Sequence, residues 1–528
     1  MLIVTHVRVS ARVDWARQSV KYYKARLRRL AGDWAGHGRV GERFRDPEHP
    51  YAEDLDLFGR GSLFEMISTA RTSSGESTLA RWLLAPAAPM DIKARQEAVI
   101  ELRDRLDLRH DLALTGEHLR TETDPTGLSQ WGAGRPLLLF RNDRLVLFLC
   151  SLAALATFLG FFAGLLTLRP FLGMVVVNTA LMAWVAKRAL AATHAVDTPV
   201  RDLALMAVLL ARLEREQFQT PALAALHRTF TTDSTPASVR IARLRRLVEM
   251  LDSAHNMFFA PVAFVLLWVP QFALAIEAWR RRNGAAVNQW IAALGELEAL
   301  CSLAGYLYEH PSAVFAEFVD RGPLFEANGL AHPLLPESSA VPNDLTLATS
   351  CPLLIVSGSN MSGKSTLLRA VGLNTVLAWA GAPVRARSLR VSPLTLGASI
   401  RTLDSIQEGR SRFFAEITRL RQITALTEQD RPVLFLLDEL LSGTNSHDRR
   451  IGAEAILKGL VSRGAAGLAT THDLALTQIA ESMAPRAANV HFEDVLEAGQ
   501  MRFDYRLRQG VVTHSNALEL MRSIGLDV

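Results

Sequence analysis

Residues 353–368 read LLIVSGSNMSGKSTLL. Four apolar residues, a turn of small residues and a helix-forming run follow one another, so the stretch predicts strand, loop and helix. Inside it, Gly358, Gly363, Lys364 and Ser365 fit the pattern G-x-x-x-x-G-K-[ST] in the strand-to-helix setting that gives the pattern meaning. The chemistry explains the spacing. Small residues through Gly358, Ser359, Asn360, Met361, Ser362 and Gly363 let successive main-chain amides turn inward around phosphate. The helix that follows presents its positive end to the same anion. Lys364 is placed to neutralise β and γ oxygens, and Ser365, followed by Thr366, to hold Mg²⁺ through its hydroxyl. ATP with Mg²⁺ is the expected ligand.

Working outward, VLFLLDE at 433–439 puts Asp438 and Glu439 at the tip of an apolar strand. An acidic pair there suits metal binding by Asp438 and general-base work by Glu439 on an attacking water. The other reading of Asp438 is a helix cap. GLATTHD at 467–473 is a further strand ending on Thr471 and His472, with His472 set to reach the γ-phosphate or its water. Short apolar runs alternating with helical segments predict a parallel sheet flanked by helices, an α/β P-loop NTPase domain over residues 336–528.

Upstream the texture is helical. The 528 residues exceed one ordinary core, and three well-separated cysteines (Cys150, Cys301, Cys351) show neither a disulfide framework nor metal-ligand spacing. They point to a reducing compartment. The N-terminus lacks the long apolar stretch of a signal peptide. A net charge of +5 suits an anionic partner, nucleic acid or phospholipid, or simply an Arg-rich composition. Residues 1–50 hold a basic amphipathic helix at 12–30, for DNA or anionic lipid, or else packed by its apolar stripe. Residues 51–140 read as a first helical part, with a polar break in the helix at Ser73–Gly75. Residues 145–168 carry no charge and are long enough for a bilayer core of about 30 Å. Residues 171–186 form a shorter apolar run after Arg169–Pro170. Arg135, Arg141, Arg144, Lys187 and Arg188 flank the pair, placing both outer ends on the cytoplasmic side. The expectation is a transmembrane helical hairpin over 141–190, with a buried soluble hairpin as the other reading. Residues 191–335 read as a second helical part. Its apolar run 257–276, interrupted by Pro261 and Pro270, is expected to be a buried core helix, unbroken or broken at the prolines, rather than a third span.

GSNMSGKST at 358–366 resembles GPNMGGKST of the MutS family of DNA mismatch-repair proteins. GRSRFFAEI at 409–417 is similar to that family's GRSTFMVEM, LLDELLSGTNSHD at 436–448 to LMDEIGRGTSTYDG, and TTHD to ATHY; ANVHF at 488–492 also has a counterpart. Residues 63–99 look more faintly like its core segment LLDxTxTxMGxRxLxxWL. The resemblance implies a dimer with composite sites, in which Ser411 reaches the partner subunit's nucleotide. It implies that Asn360 lies by the phosphates and that Val341 packs on adenine. It also implies double-stranded DNA as a partner, and residues 51–140 and 191–335 as a lever-like core. No mismatch-reading segment or Phe-x-Glu wedge is visible before residue 57. The pattern is similar to truncated, membrane-associated MutS-like ATPases of bacteria.

The functional expectation is a homodimeric, Mg²⁺-dependent MutS-like ATPase, tethered through membrane lipid at residues 145–186 and binding DNA. Its expected location is the bacterial inner membrane with the ATPase domain cytoplasmic, or alternatively the cytoplasm. The competing expectations are an ATP-switched membrane scaffold and a transport ATPase. The second lacks a transporter-type LSGGQ before the acidic pair.

Overall fold

The computed structural model describes residues 2–117, 131–134, 143–194, 200–231, 235–359, 361–401, 412–497 and 500–512. Asn360 and Ser411, and the flanking Arg135 and Arg141, lie outside the described residues. The chain divides into two units. One comprises Met1–Thr69, Ser77–Leu106 and Leu300–Val528; the other comprises Ala70–Glu76 and Asp107–Ala299.

The first unit carries two sheets. β1 (Glu317–Phe318), β5 (Ser388–Val391), β2 (Leu324–Leu330) and β3 (Asn343–Ala348) form one of them in that spatial order. The other runs β10 (Gln500–Gln509), β9 (Ala487–Glu497), β4 (Leu353–Ser357), β8 (Ala466–Thr471), β7 (Val433–Leu437) and β6 (Thr395–Ser399). From β9 to β6 every pairing is parallel, and β10 returns antiparallel on β9. Strands β4, β7 and β8 are buried at every residue, as strands covered on both faces must be. On one side Ile355, Phe435 and Leu437 pack with Leu457, Leu460 and Val461 of the helix Ser446–Ser462. The helix Lys364–Ala380, which starts at the phosphate loop, is buried along most of its length. The α/β domain therefore has the sheet its strand pattern predicts.

Its boundary differs from the expectation. β1 and β2 fall at 317–330, inside the stretch read as helical (191–335), because their partners β3 and β5 lie far along the chain. Residues 51–69, read as part of a separate helical core, also belong with the sheet unit. Asp54 Oδ1 accepts from the amides of Ile400 (2.7 Å) and Arg401 (2.8 Å), and Pro50 O from Ala398 N at 2.9 Å. Tyr51 meets Trp379 edge-on at 6.1 Å. The break in the helical run 63–84 falls between Ile67 and Ser73 rather than at Ser73–Gly75. Ser73 opens the second helix, as a residue favoured at helix starts does.

The N-terminal helix runs Leu2–Leu30, starting ten residues before the stretch 12–30 read as helical, and its apolar stripe is not packed: Trp15, Val20, Tyr23 and Leu27 are exposed. Arginines hold it instead, Arg26 on Glu309 at 2.7 Å and Arg29 on the Ser68 carbonyl at 2.9 Å.

The second unit is helical. Trp131 stacks on Trp279 at 6.1 Å, and Gly132 and Gly284 approach so closely that a Cβ on Gly284 would lie 2.3 Å from Gly132 O. Buried Glu298 accepts from the amides of Arg71 (3.1 Å) and Thr72 (3.2 Å), joining the segment Ala70–Glu76 to this unit. The apolar stretches form helices Asp143–Phe162 and Leu168–His194. Their turn is 163–167, with Gly164 at φ +71°, so Arg169 and Pro170 sit in the second helix rather than between the two. Proline is tolerated there because a first-turn amide has no helical acceptor. The run 257–276 is broken into Ala260–Val265 and a helix Trp268–Glu309, and against the expectation of a buried helix Met257, Phe258 and Val262 are exposed. Among the described residues, two helices are long and apolar enough to cross a membrane by length and composition. The apolar window 145–162 is 17% buried, whereas the helix Trp268–Glu309 reaches 83%.

Candidate nucleotide site

β4 ends at Ser357 and the chain turns through Gly358, at φ +151°, to Gly363, at φ +105°. Both glycines are sterically required. A Cβ on Gly358 would sit 2.8 Å from Ser362 Oγ, and one on Gly363 would sit 3.2 Å from Tyr505 Cδ1 at a φ that L residues avoid. Met361, at φ +72°, forms the exposed crest of the loop. Lys364 is buried and donates from Nζ to the carbonyls of Gly358 (2.9 Å) and Ser359 (2.7 Å). The hydroxyls of Ser359 and Ser362 are buried with no hydrogen-bond partner among the described residues. Unpaired buried hydroxyls are uncommon, and two in one loop beside a buried ammonium fit a cradle for phosphate oxygens.

β7 and β8 carry the acidic end. Thr470 Oγ1 donates to Asp438 Oδ1 and accepts from Glu439 N at 2.9 Å, so one hydroxyl sets both acidic residues. Asp438 N donates to Ser399 O at 2.9 Å, tying the strand tip to β6. Glu439 has φ +47° and Leu441 φ +55°. This strained turn is held by Glu416 Oε1, which accepts from Leu441 N at 2.6 Å. Arg449 also secures it by donating to the carbonyls of Leu441, Ser442 and Thr444, each at 3.2 Å. His472 follows β8 and places Nδ1 3.6 Å from Glu439 Oε1.

A 560 Å³ cavity opens over the loop, within the usual range for a small-molecule site. Its walls include Val341, Met361, Gly363, Lys364, Ser365, Thr366 and Glu439 from the sequence reading. Gly358, Ser359 and Ser362 form the turn that carries Lys364; Asp438 and His472 neighbour Glu439 and are not wall residues.

Three of the wall residues not singled out from the sequence bear on the site's shape and charge. Tyr505 lies on β10, where the register with β9 shifts between Phe503 and Leu507. Asn343 fastens this irregularity, donating to Tyr505 O at 3.0 Å and accepting from Leu507 N at 2.7 Å. Tyr505, at φ +54°, is thereby held beside Gly363. His332 is the third. Burial, then Arg369 and Arg385, push its pKa down to about 4, so the ring is neutral at pH 7. Of the six described non-glycine residues with positive φ, four (Met361, Glu439, Leu441, Tyr505) are at this site. Such strain persists where surrounding structure over-determines it, and it clusters at ligand sites. The available signal was the alternation of Phe503, Tyr505 and Leu507 near the chain end.

Residues 354–527 match the family model described as MutS domain V. That domain is of the MutS family. It is 34% identical over 253 residues to the DNA mismatch repair protein MutS of Natronomonas pharaonis, covering 46% of this chain and 28% of that protein. It is 34% identical over 303 residues to the endonuclease MutS2 of Thermus thermophilus, covering 53% and 38% respectively. A DNA mismatch repair protein MutS 2 of Halobacterium salinarum is 35% identical over 243 residues, 44% of this chain and 27% of the relative. The chain thus spans well under half the length of these relatives.

Proposed function

We propose that this MutS-like chain is a Mg²⁺-dependent ATPase that works as a dimer, binds double-stranded DNA and is held at the bacterial inner membrane by residues 145–186. The observation that carries the ATPase reading is the cavity that joins buried Lys364, the Ser365 hydroxyl and Glu439 over a loop with two unpartnered serine hydroxyls. Lys364 exchanges its loop carbonyls for β and γ oxygens of ATP. Ser365 and Asp438 supply the oxygen donors that suit Mg²⁺. Held there by Ser365 and Asp438, Mg²⁺ would supply positive charge against the phosphates. Glu439 orients and polarises the attacking water, and His472 steadies its carboxylate. Tyr505 and Val341 offer an aromatic and an aliphatic face to the base. Ser411 and Asn360 are assigned to the phosphates by family resemblance, Ser411 in the partner subunit's site.

The DNA and dimer assignments rest on the relatives' names and on family behaviour. Exposed Arg243 and Arg246 supply positive charge for phosphate contacts. The membrane assignment, with the ATPase domain cytoplasmic, is supported by the charge-free run at 145–168 and by how little of the window 145–162 is buried.

The test is ATP turnover by detergent-extracted protein with and without duplex DNA, beside Lys364→Ala. Turnover stimulated by duplex, abolished in the variant, together with salt-sensitive duplex binding, is expected. Failure to retain radiolabelled ATP overturns the ATPase reading; absence of duplex binding at low salt overturns the DNA reading.

A further inference from the structure

The hairpin and the broken run 257–276 share one polar junction. Between Ala260–Val265 and Trp268–Glu309 the chain leaves the helix at Leu266 and Leu267, the latter at φ +49°. A break of this kind frees carbonyls from helical bonding. Here hairpin side chains and Gln271 take them up. Asn178 Nδ2 donates to the Val265 (3.1 Å) and Phe264 (3.4 Å) carbonyls. Ser151 Oγ is 2.7 Å from Leu266 O, and Gln271 Nε2 donates to that same carbonyl and to Ser151 Oγ, both at 2.8 Å. Asn178 and Ser151 are buried, in helices otherwise nearly all apolar. Around the junction Leu147, Leu267 and Leu274 pack together with Leu181 and Met182.

The outer faces are the reverse. Leu145, Val146, Phe148, Leu149 and Leu152 are exposed, and at 100° per residue they cover roughly half the helix circumference. A helix that is apolar beyond the face it packs by belongs in a large core or a membrane, and the window 145–162 is only 17% buried. The segment joined to the hairpin at the junction continues this character. Phe258 is 89% and Met257 79% exposed, with Val262 also exposed.

We propose that residues 257–267 form a re-entrant element that enters the same bilayer leaflet region as the hairpin without crossing, with phospholipid acyl chains as the partner of Met257, Phe258 and Val262. The proposal rests on the membrane reading of the hairpin. Its physical basis is that non-helical backbone at membrane depth survives only where protein groups satisfy it. Ser151, Asn178 and Gln271 do so at this break. The six-residue helix Ala260–Val265 rises only about 9 Å, too little to span and enough to dip. An ordinary broken core helix would bury Met257 and Phe258.

The experiment places a bimane on single cysteines in the full-length chain, with Cys150, Cys301 and Cys351 replaced by serine or alanine. Reconstitution is into phosphatidylcholine–phosphatidylglycerol vesicles containing nitroxide-labelled lipids. The sites are Leu165→Cys at the hairpin turn, Phe258→Cys and Val262→Cys in the proposed element, and Arg228→Cys as a solvent control. Strong quenching at Leu165, Phe258 and Val262, at least threefold above that at Arg228, is expected. Quenching at Leu165 with neither 258 nor 262 quenched overturns the re-entrant element and leaves the hairpin standing. No quenching at Leu165 overturns both. Val262→Cys keeps the question answerable where Phe258→Cys does not fold.

Discussion

The phosphate loop and the junction at Leu267 both bury polar side chains, and they differ in whether the hydroxyl and amide donors are paired. At the loop, Ser359 and Ser362 keep their hydroxyls without a partner among the described residues. At the junction, Ser151, Asn178 and Gln271 all donate to main-chain carbonyls or to one another. An unpaired buried hydroxyl costs free energy that a ligand restores, while a paired one stabilises a fold defect. Backbone strain follows the same division. Four strained residues surround the loop, where a substrate can make use of strain, and Leu267 marks the break that the junction repairs. The comparison separates polar groups held ready for a ligand from polar groups that complete the backbone.

Removing a group from each region gives different signatures. Glu439→Gln is expected to lower steady-state phosphate release by roughly 10²–10⁴-fold while ATP binding persists, since the amide keeps the shape but loses the base. Equal loss of binding and turnover would make Glu439 a structural residue and blur the contrast. Asn178→Leu should leave nucleotide binding intact and lower stability in detergent by about 1–3 kcal/mol, the cost of stranding the Phe264 and Val265 carbonyls. A melting temperature equal to that of the parent protein would show that the junction does not stabilise the unit.

The smallest effect concerns His332 in the cavity wall. Its folded pKa is pushed down to about 4 by burial, then Arg369 and Arg385. Between pH 6.5 and 4 the unfolded chain binds a proton that the folded protein refuses. The neutral ring's contribution is therefore complete above about pH 6.5 and is lost as pH falls toward 4. His332→Gln, neutral throughout, should flatten the fall in stability across this window by about 3 kcal/mol. Parallel pH profiles for the two proteins, read by denaturant melts, would remove His332 from the account.

The loop, the acidic pair and the strand ending at Thr471 were legible because each is a local pattern. A buried parallel strand is an apolar run, and a phosphate turn needs small residues and a lysine at fixed spacing. The hairpin helices were legible for the same reason, and the split at Pro261–Pro270 was marked by proline. The limits of local reading appear at Arg169–Pro170, where the chain was expected to turn and instead begins a helix. They appear again at Ser73, where a polar residue read as a break is a helix start.

What the amino-acid order determined alone was the sheet's central strands, the placement of Lys364, Ser365, Asp438 and Glu439 at strand and helix ends, and the existence of an apolar helical pair. Those depend on neighbours within a turn or a strand. Tertiary structure decided the rest. It brought Asn343 and Tyr505 together across 162 residues, placed Asp54 against Ile400 across 346, and set Ser151 on Leu266 across 115. Each of these is a hydrogen bond whose partner is chosen by which backbone groups the fold leaves open. No spacing along the chain encodes that choice, because the open groups exist only once sheet edges, bulges and helix breaks have formed.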